Sequence, residues 1–197
     1  MRKGEVTRSA ILDEAMQTAS LVGLGGLSIG QLAETTEMSK SGLFAHFRSK
    51  EQLQLQVLER TRERFTDVVI RPALSAPRGI ARVRRTFDGW LGWADDVLNG
   101  GCIFVAASVE LDDQPGALRD ALVRSELDWL ELLATVAGTA VSEGEFRDDL
   151  DVEQFAYEEH GVMLVHHHAS RLLHDPRAAD RTRRAFDSLV AAARGPG

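Results

Sequence analysis

Serines 28, 39 and 49 each stand just ahead of a segment with helical apolar spacing, short after Ser28 and Ser39 and long after Ser49. Ser28-Ile29-Gly30-Gln31 and Ser49-Lys50-Glu51-Gln52 are capping boxes. In such a box the serine oxygen accepts from a free first-turn N–H, and the glutamine three residues on reaches back to the cap. Ser39 starts a third short helix that ends near Phe47. With a tight turn at 36–38 between the second and third helices, and a first helix over 7–22 ahead of them, the pattern is a helix-turn-helix layout.

The first helix carries Ile11, Leu12, Ala15, Met16 and Ala19 on one face, and Gly23, Gly25 and Gly26 end it by taking left-handed dihedrals. The rest of the chain also reads as helix. One stripe holds Ile80, Val83, Phe87, Trp90, Ala94 and Val97, and Asn99-Gly100-Gly101 breaks it before a shorter helix near 103–111. Asp112-Asp113-Gln114-Pro115 is expected to open the next helix, with Pro115 in its first turn. Leu118, Leu122, Trp129, Leu133, Val136 and Ala140 line that helix, and Gly144 ends it. Beyond a capping box at 151–154, Phe155, Val162, Val165, Ala169 and Leu172 share a face, and Ala185, Phe186, Leu189, Val190 and Ala193 form the last stripe. No stretch alternates as a half-buried strand does. The expected fold is all-α, about nine helices, with a helix-turn-helix at 28–47 inside an N-terminal part at 1–50 and a longer helical part at 51–197.

The 197 residues carry a net charge of -7. The charge is uneven: residues 1–65 balance at +1 and the remainder at -8. A local basic face, rather than the total, decides whether phosphate can be bound. Cys102 is the only cysteine, which excludes an internal disulfide framework and a multi-cysteine zinc site. With no apolar run near the ~20 residues of a membrane span, and no apolar leader, the expectation is a cytoplasmic protein away from membranes.

The outward residues of the helix after the turn are Ser39, Lys40, Ser41, Gly42, Ala45 and His46. All are small or polar and none is acidic. Small residues permit close approach to a duplex, lysine reaches base edges or phosphate, and hydroxyls bond either. Leu43 and Phe47, four apart, anchor the opposite side.

These residues carry a resemblance. Thr7-Arg8 with Ile11-Leu12, Leu27-Ser28-Ile29 with Leu32-Ala33, Met38 through Phe47, and Ser49-Lys50-Glu51-Gln52-Leu53 together resemble the DNA-binding domain of the TetR family of transcriptional regulators. The resemblance implies a homodimeric helical repressor that reads a pseudo-palindromic operator in double-stranded DNA and is released by a small-molecule inducer. It implies phosphate contacts at Ser28, Phe44, His46 and Lys50, base contacts at Lys40, Ser41 and Gly42, and a dimer built by helices near 152–174 and 177–193. The family usually has tyrosine where Phe44 stands, so one hydroxyl worth roughly 0.5–1.5 kcal/mol is missing. It usually has glycine where Glu37 stands, and left-handed dihedrals there would cost about 1–2 kcal/mol. A module that binds a small molecule and has lost DNA affinity is the alternative reading.

Trp90, Trp93, Phe104, Trp129, Met163 and His167 are candidates to line a partly apolar ligand site. His160, His167 and His174 share a stripe with Met163, as a dimer seam or pocket lining would. No histidine pair has the i,i+3 or i,i+4 spacing of helical metal ligands, and no cofactor motif is present, so neither a metal nor a cofactor is expected. Without a nucleophile–base–orienter pattern, with Cys102 read as a buried small apolar residue, no enzyme activity is expected.

Overall fold

The structure is a computed structural model that describes residues 3–194. Helices α1 (Lys3–Gly26), α2 (Ile29–Thr35), α3 (Lys40–Phe47) and α4 (Lys50–Phe65) come first. A π-helical turn (Thr66–Ile70) precedes α5 (Arg71–Ser75). Then come α6 (Ile80–Gly92) with a π turn (Trp93–Val97), α7 (Ile103–Leu111), α8 (Ala117–Ser142), α9 (Val152–His167) with a π turn (His168–Leu172), and α10 (Ala178–Arg194). Joining each π turn to its preceding helix, and α5 to α4, leaves nine helical runs and no strand among the described residues. None of the described helices is long and apolar enough to cross a membrane.

The chain divides into two compact units. One is Met1–Phe65 with Asp95–Ser125, and the other is Thr66–Ala94 with Glu126–Gly197. In the first, α1 packs on α4 and α7 through Ile11, Ala15, Met16 and Ala19, all buried. Arg60 of α4 holds Asp13 of α1 with two hydrogen bonds, at 2.7 and 3.2 Å. In the second, Phe87 of α6 stacks on Phe186 of α10 with centroids 3.7 Å apart, and Trp90 stands edge-on to His166 of α9.

Several expectations meet corrections. α1 begins four residues earlier than the apolar spacing suggested, at Lys3, while the side chain of Thr7 lies outside the described residues. Helical geometry breaks at Gly23 (φ 78), but Gly25 and Gly26 are not left-handed. Pro115 is not in the first turn of α8. Gly116 at φ 150 separates it from the helix and accepts from Asp120 N–H instead. The inward face of α9 is Phe155, Ala156, Glu159, Met163 and His166, whereas Val165 and Leu172 face outward. This helix is apolar on two sides, and the stripe that the spacing locates runs from the buried Phe155 to the exposed Val165 and Leu172.

Candidate nucleic-acid interface

The local geometry of α2 and α3 follows from their caps. Ser28 Oγ accepts from Gln31 N–H at 3.0 Å, and Ser39 Oγ from Gly42 N–H at 3.1 Å. Between the helices, Met38 N–H donates to Ala33 C=O, and Thr36 N–H to Leu32 C=O, which closes the turn. That closure forces the residue after the cap into the left-handed region, where glycine is the usual occupant. Here the residue is Glu37, at φ 53.

Leu43 and Phe47, at 0% and 1% exposure, root α3 in the core. The other side of the helix is open. Ser39, Lys40, Ser41, Phe44 and Ala45 are exposed, and His46 and Gly42 are half-buried. Phe44 is 52% exposed, which is unusual for so apolar a ring. Lys40 lies back over α2: its Nζ and Ser28 Oγ both come within 4 Å of where a Gly30 Cβ would sit, at 3.6 and 3.9 Å. Ser28 and Lys40, twelve positions apart, thus occupy one patch. Lys50 opens α4, and its ammonium donates to Gly25 C=O.

The sequence expectations assign no DNA contact to two basic residues beside this surface, Arg8 and Arg48. Arg48, at φ 59, forms the turn between α3 and α4, where Ser49 N–H donates to Phe47 C=O at 2.6 Å. Arg8 of α1 lines a surface depression with His46, Arg48 and Gln52. Arg48 was legible from its place between Phe47 and Lys50. Arg8 was not, because only the packing of α1 on α4 brings it there. From residue 38 to 50 no acid interrupts the surface, with Glu37 and Glu51 at its limits.

The residues expected to line a ligand site are all largely enclosed, and they fall in both units. Trp90, Trp93, Trp129, Met163 and His167 belong to the second unit. Phe104 belongs to the first, edge-on to Phe65 at 5.8 Å. Cys102 is buried. No group of His, Cys, Asp or Glu that could hold a metal occurs among the described residues.

Beside the buried His166, Thr86 and Thr182, the second unit encloses two carboxyls to which the sequence expectations assign no role. Glu159 is 1% exposed and its Oε1 has no hydrogen-bond partner. Burial pushes its pKa up to about 8. Glu126, also raised by burial, to about 7, lies 3.7 Å from His160 Nε2. Burial lowers the pKa of His160, so both partners lean to their neutral forms. The contact is better described as a neutral carboxyl–imidazole pair than as an ion pair.

Comparison with known proteins agrees with this geometry. Residues 11–57 match the profile described as "Bacterial regulatory proteins, tetR family", and residues 79–186 match "Tetracyclin repressor-like, C-terminal domain". The HTH-type transcriptional regulator TcmR of Streptomyces glaucescens is 31% identical over 132 residues, which is 64% of this chain. That match spans 56% of TcmR, little more than half its length. A TetR-family regulator from Cytophaga hutchinsonii superposes with a TM-score of 0.86 at 20% identity, covering 100% of this chain and 99% of that one. One from Chloroflexus aurantiacus gives 0.85 at 25% identity, covering 97% and 96%. With the C-terminal profile alone spanning over half of the chain, this protein belongs to the TetR family of transcriptional regulators.

Proposed function

We propose that the protein is a sequence-specific repressor that binds a pseudo-palindromic operator as a homodimer and leaves it when a small molecule binds. The observation that carries this reading is the outward face of α3: exposed, free of acid, and rooted by Leu43 and Phe47. A helix of this size fits the ~12 Å major groove. Lys40, Ser41 and Gly42 stand where base edges would be read, with Ser39 beside them. Ser28, Phe44, His46 and Lys50 stand where phosphates would be held. Residues 1–50 act in this reading as the DNA-binding part and 51–197 as the ligand and dimer part.

The dimer is assigned to α9 and α10. Tyr157, Leu164, Val165 and Leu172 form an exposed apolar stripe along the outer face of α9 and its π turn. On α10, Ala185 and Ala192 are exposed and small. A stripe of that kind is what a self-complementary two-fold contact buries. Two recognition helices would then meet half-sites about 34–36 Å apart. The inducer is partly apolar, as the indole and methionine side chains of the second unit suggest. It shifts the DNA-competent population only by its difference in affinity for the two states.

Selection of bound sequences from random duplexes with the purified protein tests this. A pseudo-palindrome with major-groove half-sites is expected, and Lys40→Ala should relax preference at one or two positions in each. Salt-insensitive, negligible association with every duplex would instead favour a ligand-binding module without a DNA target.

A further inference from the structure

Resting on the reading of Lys50 as a DNA contact, we propose that Glu110 of α7 is a positioning residue for that contact, acting through the backbone of Gly25. Gly25 is held from both sides: its N–H donates to Glu110 Oε1, and its C=O accepts from Lys50 Nζ. One residue earlier, Leu24 C=O accepts from the buried Gln54 Nε2 of α4 at 2.8 Å. The turn between α1 and α2 is therefore gripped by two side chains of α4 and one of α7.

The glycines of this turn let the carboxylate in. A Cβ at Gly25 would collide with Glu110 Oε1, and one at Gly23 would lie 2.9 Å from Glu110 Oε2. Gly25 has no left-handed φ, so its lack of a side chain matters here for the room it leaves the Glu110 carboxylate. The bond from an ionised carboxylate to the Gly25 N–H is charge-assisted, among the stronger hydrogen bonds a backbone can make. It fixes the position of the Gly25 carbonyl, and that carbonyl orders the Lys50 ammonium. An ammonium held by one of its three donors keeps two for phosphate and has less rotamer freedom left to lose on binding. Glu110 lies within the segment that matches the C-terminal family profile, so a side chain of the regulatory sequence holds a DNA-contacting lysine in place.

The test is a double-mutant cycle on the full chain with a mixed-sequence duplex, on which phosphate contacts dominate and no operator is needed. Lys50→Ala should weaken binding and lower the slope of log Kobs against log salt by about 0.9 for each phosphate it no longer neutralises. Glu110→Ala should reproduce part of both changes. Glu110→Gln, which keeps an acceptor oxygen, should behave as wild type, and Glu110→Ala should add nothing to Lys50→Ala. Gly25→Ala, which blocks the carboxylate with Glu110 still present, should give the same slope change and decides the matter if Glu110→Ala does not fold. The proposal is overturned if Lys50→Ala changes affinity and slope while Glu110→Ala and Gly25→Ala change neither, or if the effects of Lys50→Ala and Glu110→Ala simply multiply. If Lys50→Ala itself changes nothing, the reading of Lys50 as a DNA contact fails first, and the role of Glu110 falls with it.

Discussion

Gly100 sits directly on Ser20. Its amide donates to the Ser20 hydroxyl at 2.9 Å, and a Cβ at Gly100 would overlap the Ser20 carbonyl. Gln17, one turn earlier on α1, extends the seam: its Nε2 donates to Val97 C=O at 3.2 Å and its Oε1 accepts from Asn99 N–H at 3.1 Å. The 97–100 backbone is thus fastened to α1 by two polar side chains, at a separation that only glycine allows.

Gly100→Ala should accordingly destabilise the fold. The new methyl meets backbone rather than a flexible side chain, so α1 and the 97–100 segment must part. Overpacking of this kind costs roughly 1–3 kcal/mol. A thermal melt of the variant that matches wild type would contradict the contact.

Glu37→Gly should stabilise the protein. The left-handed φ of 53 strains a non-glycine residue by about 1–2 kcal/mol. Glycine returns roughly 0.5–1 kcal/mol of that through the entropy of the unfolded chain. A net gain of about 0.5–1 kcal/mol in urea denaturation is expected. The change also removes the acid beside α3, so affinity for any duplex should rise at low salt.

Glu159 should make stability depend on pH. Its folded pKa, about 8, lies above the unfolded value of 4.5. Between those values the folded state holds a proton that the unfolded state releases, so stability falls as pH rises through this window and levels off above it. From about pH 5 to about pH 7 the loss is roughly 3 kcal/mol. Glu126 slopes the same way and His160 the opposite way, and both stay in place in the variant. Glu159→Gln should therefore flatten the profile relative to wild type. Parallel profiles for the two proteins would show that Glu159 is not held neutral by burial.

Val165→Glu should yield a monomer. Val165 is 66% exposed in the middle of the α9 stripe, so a carboxylate there is harmless to the single subunit. Buried against a two-fold partner it would be an unpaired charge, which an interface of this kind does not tolerate. Sedimentation should show half the wild-type mass with unchanged helicity, and operator binding should drop steeply. A dimer that survives the substitution would move the interface elsewhere.

The helix-turn-helix was legible because its signals are local. A serine cap acts on backbone within three residues, so Ser28, Ser39 and Ser49 announced their helices and the structure shows each bond. The apolar stripe of α8 held residue for residue, since Leu118, Leu122, Trp129, Leu133, Val136 and Ala140 are all buried. On α9 the period locates a stripe but not what covers it, since both sides of the helix carry apolar residues and Val165 and Leu172 are exposed. Glu159 went unnoticed because its neighbours in sequence, Glu158 and His160, look like an ordinary polar stretch.

Local chemistry, then, determined most of the helices, their caps and the acid-free face of α3, because each depends on atoms only a few residues apart, whereas the left-handed position of Glu37 was expected only from the family resemblance. What the tertiary structure alone decided are the contacts between distant segments: Arg8 beside Arg48, Glu110 on Gly25, Gly100 against Ser20, and the burial of Glu159. In each case the partner or the enclosing surface comes from another helix, and which helix comes close is settled by packing of the whole unit rather than by any pattern along the chain.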